Sequence, residues 1–217
     1  MTPQAARLHA ALPQTQCTRC GYPDCAGYAQ AIADGEAGIN QCPPGGAEGV
    51  ARLAALTGRP ALPLNPANGV EGSRMVAVID ENWCIGCTLC LDACPTDAIL
   101  GGNKRMHTVI EPHCTGCELC VPACPVDCIS LENASGEQTG WDAWSRDEAQ
   151  RALQRYEFHV LRLERNGSEN AQRLERKAQA KLADLPAHTE NAEGAELARK
   201  KSVIEAALAR ARAKRPS

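Results

Sequence analysis

Aromatic side chains are nearly missing from this chain. One Phe, three Trp and three Tyr stand among 217 residues. That is too little ring volume for a large conventional core, so some other material is expected to fill the centre. Long apolar runs are missing too. No stretch reaches the roughly 18 consecutive apolar residues of a membrane-spanning helix, so none is expected. The opening "MTPQAARLHAALPQTQC" has no apolar stretch of the secretory kind, so a reducing, cytoplasmic location is expected. Catalytic signatures are also lacking. There is no G-x-G-x-x-G, no H-E-x-x-H and no Ser-His-Asp arrangement, and "CPPGGAEG" lacks the Lys-Ser/Thr of a phosphate loop. It reads as a turn leading into a helix. No nicotinamide or flavin site and no catalytic site of its own are expected.

What the chain has instead is cysteine, 13 residues of it. Reducing compartments disfavour structural disulfides, and cysteine clusters there read as metal sites. Charge is divided unevenly. Residues 1–138 hold 7 Lys or Arg against 14 Asp or Glu, a net of −7, and all the cysteines; residues 139–217 hold 16 against 12, a net of +4. The acidic part suits transient docking to basic redox partners.

Four segments follow from composition and pattern. Residues 1–58 carry Cys17, Cys20, Cys25 and Cys42 and two short helical patterns, one opened by Asp24 and broken at Gly35 or Gly38, one ending at Gly58. Residues 59–73, with three prolines and two glycines, read as a linker. Residues 74–135 hold strand-like "RMVAVID" and "CISLE", and "DAIL" and "MHTVI" flank a turn at "GGNKR". Residues 136–217 read as a charged helical tail. Ser145 and Glu148 suit a capping box, and Leu153, Tyr156, Val160 and Leu163 fall on one helical face. Asn166-Gly167-Ser168 is expected to interrupt the helix, and Leu174, Ala178 and Leu182 continue a stripe until Pro186. The last helix, residues 198–215, has seven Lys or Arg and one Glu. Its plain reading is a solvated helix packed on its neighbour; docking on an acidic protein surface is the next, and anionic lipid is a further candidate. Nucleic acid is not expected, because that stretch has no stacking aromatics.

The most specific signal is a repeat. "CIGCTLCLDACP" begins at Cys84 and "CTGCELCVPACP" at Cys114, an offset of thirty residues. The spacing C-x2-C-x2-C-x3-C-P is that of bacterial ferredoxins, in which the fourth cysteine ligates the other cluster. Three cysteines in so short a loop wrap three corners of a cubane and cannot supply the fourth. One [4Fe–4S] cluster is therefore expected on Cys84, Cys87, Cys90 and Cys124, and another on Cys114, Cys117, Cys120 and Cys94. Gly86 and Gly116 permit close backbone approach. Cys128 is the thirteenth cysteine and aligns with Ala98. It reads as a small buried thiol near a cluster, with a reserve ligand or a redox-sensing thiol as the alternative.

"CTRCGYPDC" followed by "CPPGG" gives four more thiolates in 26 residues. By count they fit a four-cysteine zinc site or a third cluster, and their neighbours favour iron–sulfur. The stretches "LPQTQCTRCGYPDCAGYAQAI" and "INQCPPGG" resemble the iron–sulfur domain of the B subunit of Rnf/Rsx-type complexes. The order, with a linker, a two-cluster module and a closing "CPVDCI", is similar as well. The resemblance covers roughly residues 5–135. It implies a third [4Fe–4S] cluster on Cys17, Cys20, Cys25 and Cys42, with Cys128 part of the pattern and not a ligand. It implies a relay of single electrons in a membrane assembly that joins ferredoxin and a nicotinamide nucleotide to ion movement. Members of that family usually begin with an apolar anchor and lack the basic helical tail.

The expected fold is α+β: a small helical Cys-cluster domain, a ferredoxin-like module with two [4Fe–4S] clusters and an α-helical tail. The expected partners are redox proteins, among them other Rnf/Rsx-type subunits. The expected location is the cytoplasm, with peripheral attachment to the inner membrane through partners or the basic helix. A free cytosolic polyferredoxin is the alternative, and a zinc-stabilised adaptor a more distant one.

Overall fold

The computed structural model describes residues 1–187 and 194–213. Its elements are α1 (Pro3–Ala10), α2 (Cys25–Asp34), α3 (Gly46–Thr57), β1 (Met75–Ile79), α4 (Leu89–Ala93), β2 (Ile99–Leu100), β3 (Thr108–Val109), β4 (Ile129–Asn133), α5 (Arg146–Ala183) and α6 (Ala195–Ala213). Helices and two small sheets make this a mixed α and β structure. Two compact units divide it, Met1–His159 and Val160–Ser217.

In the first unit, α1, α2 and α3 gather round Leu8, Leu12, Tyr28, Ile32, Ile39 and Leu53. The helix ends obey their caps. Thr2 Oγ1 accepts from Ala5 N–H, Asp24 accepts from Gly27 N–H, and left-handed glycines at 35 and 58 close α2 and α3. "CPPGG" forms a turn, Pro43–Gly45, that runs into α3. The proline-rich segment after α3 is tied down. Arg59 donates to the carbonyls of Ala37 and Ile32, and Asn68 Nδ2 donates to Arg19 O.

The duplicated sequence produces a duplicated backbone. β1 pairs antiparallel with β4, Ala77 opposite Leu131, and β2 pairs with β3, the hairpin expected around "GGNKR". Left-handed residues recur at the same offset of thirty: Gly86 and Gly116, Thr88 and Glu118, Asp97 and Asp127. The core here is six cysteines, Cys90, Cys94, Cys114, Cys120, Cys124 and Cys128, set among Val76, Ala77, Ile79, Ala98, Ile99 and Ile129. With no aromatic ring among them, thiols occupy the volume that rings fill elsewhere.

The start of α5 is the expected capping box. Glu148 N–H donates to Ser145 Oγ at 3.2 Å, and Ser145 N–H returns to Glu148 Oε2 at 2.8 Å. Two expectations for this helix are corrected. It runs unbroken through Asn166-Gly167-Ser168, because one glycine costs a helix only about 1 kcal/mol and good helix formers lie on both sides. The buried positions are Ala149, Ala152 and His159, while Val160 and Leu163 are exposed. Small residues face inward there because the helix lies close against Trp141 and Trp144. In the second unit Leu185 is buried and Arg212 Nε donates to Glu175 Oε1 at 2.8 Å. Lys214 and Arg215, read as the end of the last helix, lie outside the described residues. Among the described residues no helix is long and apolar enough to cross a membrane.

Candidate metal centres

Thirteen cysteines sit in the first unit without a disulfide, and nine of them are buried. Their surroundings fall into three groups. Burial pushes the Cys25 thiol up to about 12, and the neighbouring Cys17 and Cys20 sulfurs push the same way. Burial likewise holds Cys42 far above its ordinary value, with Cys25, Cys17 and Cys20 adding to it. Thus the four N-terminal cysteines act on one another, although Cys42 comes from beyond α2.

The repeat supplies two more groups. Burial first, and then Cys87, Cys84 and Cys124, raise Cys90 to about 11. Burial raises Cys120 to about 12, with Cys117, Cys114 and Cys94 adding; Cys117, also near 12, feels Cys94 and Cys114 after burial. Cys94 stands beside Cys114, Cys117 and Cys120, and Cys124 acts on Cys90. Cys94, Cys114, Cys117 and Cys120 line a small cavity of about 20 Å³ walled by Ala77 and Leu131. No three His, Cys, Asp or Glu side chains among the described residues converge on a single-ion position. Here the thiols surround a space.

This donor set fits a cubane cluster on its chemistry. A buried thiol resists ionisation when nothing balances the charge, and iron supplies that balance. Amide hydrogens already point at the sulfurs. Ala98 N–H lies 3.2 Å from Cys94 Sγ, and Cys128 N–H lies 3.4 Å from Cys124 Sγ. Gly86 and Gly116 both have φ +67°, and a Cβ on Gly116 would overlap the Met75 carbonyl oxygen.

Cys128 is buried, with Sγ 3.4 Å from Cys124 Sγ. His113 is packed: Arg155 donates to its Nε2 and Thr96 Oγ1 donates to its carbonyl at 2.9 Å.

Several residues are invisible to pattern reading. Gln16 is 2 % exposed, and its Oε1 accepts from Cys25 N–H at 2.9 Å. Gln14, Gln16 and Thr18 alternate in left-handed backbone along the loop that carries Cys17. Thr115, between two cysteines of the second run, donates to Thr15 O at 2.9 Å. Arg19 pairs with Glu118 at 2.5 Å. The first turns of α5 reach both groups of elements. Trp144 Nε1–H donates to Pro13 O at 2.8 Å, Tyr156 OH to Asp24 Oδ2 at 2.9 Å, and His159 Nδ1 lies 2.7 Å from Asp97 Oδ1. Buried polar side chains of this kind are the signal, and only a structure displays it.

Beside the Cys84 loop the surface is apolar and open. Trp83 is 68 % exposed, and Ile85 and Leu89 are exposed with it.

Family comparison agrees with this geometry. Residues 77–131 match the family described as "4Fe-4S dicluster domain", and residues 12–44 match the one described as "Putative Fe-S cluster". Among curated proteins, the chain is 65% identical over 130 residues to the B subunit of the ion-translocating oxidoreductase complex of Azoarcus sp. (strain BH72), covering 60% of this chain and 71% of that one. The protein of the same name from Hahella chejuensis is 56% identical over 142 residues, 65% of this chain and 71% of its own. That of Thiobacillus denitrificans is 59% identical over 108 residues, 50% of this chain and 57% of its own, so the match spans little more than half of that relative.

Proposed function

The chain belongs to the family of B subunits of ion-translocating oxidoreductase complexes, and from that membership we propose that it relays single electrons through three [4Fe–4S] clusters. It is an iron–sulfur electron-transfer subunit of the Rnf type. Bound in these sites, [4Fe–4S] clusters supply one-electron transfer over a range of potentials set by their surroundings. The proposed ligands are Cys17, Cys20, Cys25 and Cys42 in the N-terminal centre. Cys84, Cys87, Cys90 and Cys124 form the Cys84 centre, and Cys94, Cys114, Cys117 and Cys120 the Cys114 centre.

The observation that supports this reading is that the fourth cysteine of each run acts on a cysteine of the other, Cys124 on Cys90 and Cys94 on Cys120. Such an exchange makes each site depend on both halves of the repeat. The residues round the sites do the protein's share of the work. Burial keeps water from the thiolates, and Ala98 N–H and Cys128 N–H offset their negative charge. Thr115 ties the Cys114 loop to the N-terminal loop, which supports an order of centres N-terminal, Cys114, Cys84. The exposed face of Trp83, Ile85 and Leu89 beside the Cys84 loop is open to a redox partner. In this reading the partners are other subunits of the complex, the chain sits at the inner face of the membrane, and the coupled reaction is ion translocation. Its organisation is the N-terminal cluster domain, the segment tied to it, the two-cluster module and the helical tail.

Iron, acid-labile sulfide and zinc per chain, on protein purified without oxygen, test the reading. Three cubanes require about twelve iron and twelve sulfide. About eight iron with one zinc would remove the third cluster, and zinc without iron would overturn the electron-transfer role.

A further inference from the structure

The loop between β2 and β3 brings a histidine to the Cys84 centre. His107 is 1 % exposed. Its Nδ1 lies 3.2 Å from Cys90 Sγ, and its Nε2 lies 3.3 Å from the Gly102 carbonyl oxygen. Gly101 makes room for the ring, since a Cβ there would overlap His107 Cδ2. The ring is enclosed between Cys90 and the Gly102 carbonyl; a neutral imidazole that carries its proton on Nδ1 has none on Nε2, so the Gly102 carbonyl is then a packing neighbour and not a hydrogen-bond partner.

A thiolate bound to iron has lone pairs and no proton, so the proton between Nδ1 and Sγ must belong to the ring. We infer that His107 is a positioning residue that donates Nδ1–H to Cys90 Sγ and thereby raises the reduction potential of the Cys84 centre above that of its twin. This rests on the ligand assignment proposed above. Reduction places one more negative charge on a site whose sulfurs share it, and a hydrogen-bond donor stabilises that state more than the oxidised one.

The repeat provides the internal comparison. The lent ligands Cys94 and Cys124 both receive backbone N–H, from Ala98 and from Cys128, and Val126 N–H adds to Cys124, so the backbone donors are alike in kind between the twins. The counterpart of Cys90 is Cys120, and thirty residues beyond His107 stands Glu137, not a second histidine. Among the described residues no side chain donates to Cys120 Sγ. Thr115 lies near Cys117, but its hydroxyl proton goes to Thr15 O. The Cys128 thiol beside Cys124 adds only a weak donor, on the same side of the comparison as His107. The imidazole is therefore the main asymmetric donor between the two centres.

The test is a redox titration followed by electron paramagnetic resonance. It uses the full-length chain with its clusters, in the wild type, His107→Phe and His107→Asn. Phe keeps a ring and removes the donor, whereas the Asn amide N–H falls near the place of Nδ1. In His107→Phe the reduced-to-oxidised ratio of one centre, at fixed applied potential, should fall about tenfold, a shift of about 59 mV for one electron. The other centres should stay where they are, and Asn should restore most of the change. Full iron with no centre shifted, or with all centres shifted together, would overturn the inference. A His107→Phe chain that loses iron leaves a second measurement on unaltered protein. With ¹⁵N-histidine, pulsed resonance of the reduced wild type should show nitrogen coupled through Cys90, absent in His107→Asn, and its absence from the wild type would also overturn the inference. Cys90→Ala separates the two levels. Loss of about four iron supports the ligand assignment; full iron overturns it, and the inference with it.

Discussion

Thr115 Oγ–H donates to the carbonyl oxygen of Thr15 across one hundred residues of chain, at 2.9 Å and away from water. Each threonine stands in a cysteine loop, Thr15 just before Cys17 and Thr115 between Cys114 and Gly116. The bond therefore couples the N-terminal centre to the Cys114 centre. Replacing Thr115 by Val leaves a buried carbonyl without a partner, at a cost of about 1–3 kcal/mol. The expected outcome is unchanged iron content with faster amide exchange in residues 13–20 and 114–117, measured by mass spectrometry. Unchanged exchange in both loops would refute the coupling.

The proposed exchange of ligands between halves has a direct consequence. Cys124→Ser should weaken the site that contains Cys84, Cys87 and Cys90, and Cys94→Ser the site that contains Cys114, Cys117 and Cys120. Each single variant should retain about eight of twelve iron. The two should lose different resonance signals, and the signal lost in Cys124→Ser should be the one lost in Cys84→Ser. A match with Cys114→Ser instead would reverse the assignment.

Gly116 has φ +67°, and its missing side chain leaves space for the Met75 carbonyl. Gly116→Ala incurs backbone strain of about 1–3 kcal/mol and a steric overlap besides. It should lower iron at the Cys114 centre and reduce the temperature at which the chain loses its visible absorbance. Gly72→Ala is the control, because nothing lies within 4 Å of a Cβ at that position. Equal behaviour of the two variants would contradict the close approach.

The start of α5 should be sensitive to acid. Partial burial alone would raise the Glu148 carboxyl, but hydrogen bonds from the Ser145 N–H and hydroxyl, with Arg74 and Arg151 nearby, hold it below the ordinary carboxylate value. A lowered value in the folded state means that its contribution is complete at neutral pH and is lost as the pH falls through that lowered value. Glu148→Ala should therefore speed amide exchange in the first turn of α5 about fivefold at neutral pH, equivalent to roughly 1 kcal/mol of capping. The difference from wild type should shrink on acidification below the ordinary carboxylate range. A difference that grew in acid would be the wrong sign for this cap.

Much of this protein is legible locally. Asp24 and Gly35 mark the ends of α2, Ser145 and Glu148 the start of α5, and the thirty-residue repeat sets matching turns at Gly86 and Gly116. These features depend on residues within a few positions of one another. Backbone dihedrals and caps respond to near neighbours, and so does a cysteine spacing that must wrap a cluster. Gly167 shows where local signals mislead. A single glycine signals a break, yet its small cost is outweighed by the residues on either side, and the helix continues through it.

The sequence by itself determined that four thiols recur in two matched loops and that a third group stands before them. Tertiary structure alone decided what surrounds those thiols. Gln16 beside Cys25, His107 beside Cys90, and Trp144, Tyr156 and His159 holding the start of α5 in place carry no periodic or motif signature. A buried hydrogen bond between distant residues needs only one donor and one acceptor brought together by the fold, so no regular spacing along the chain records it.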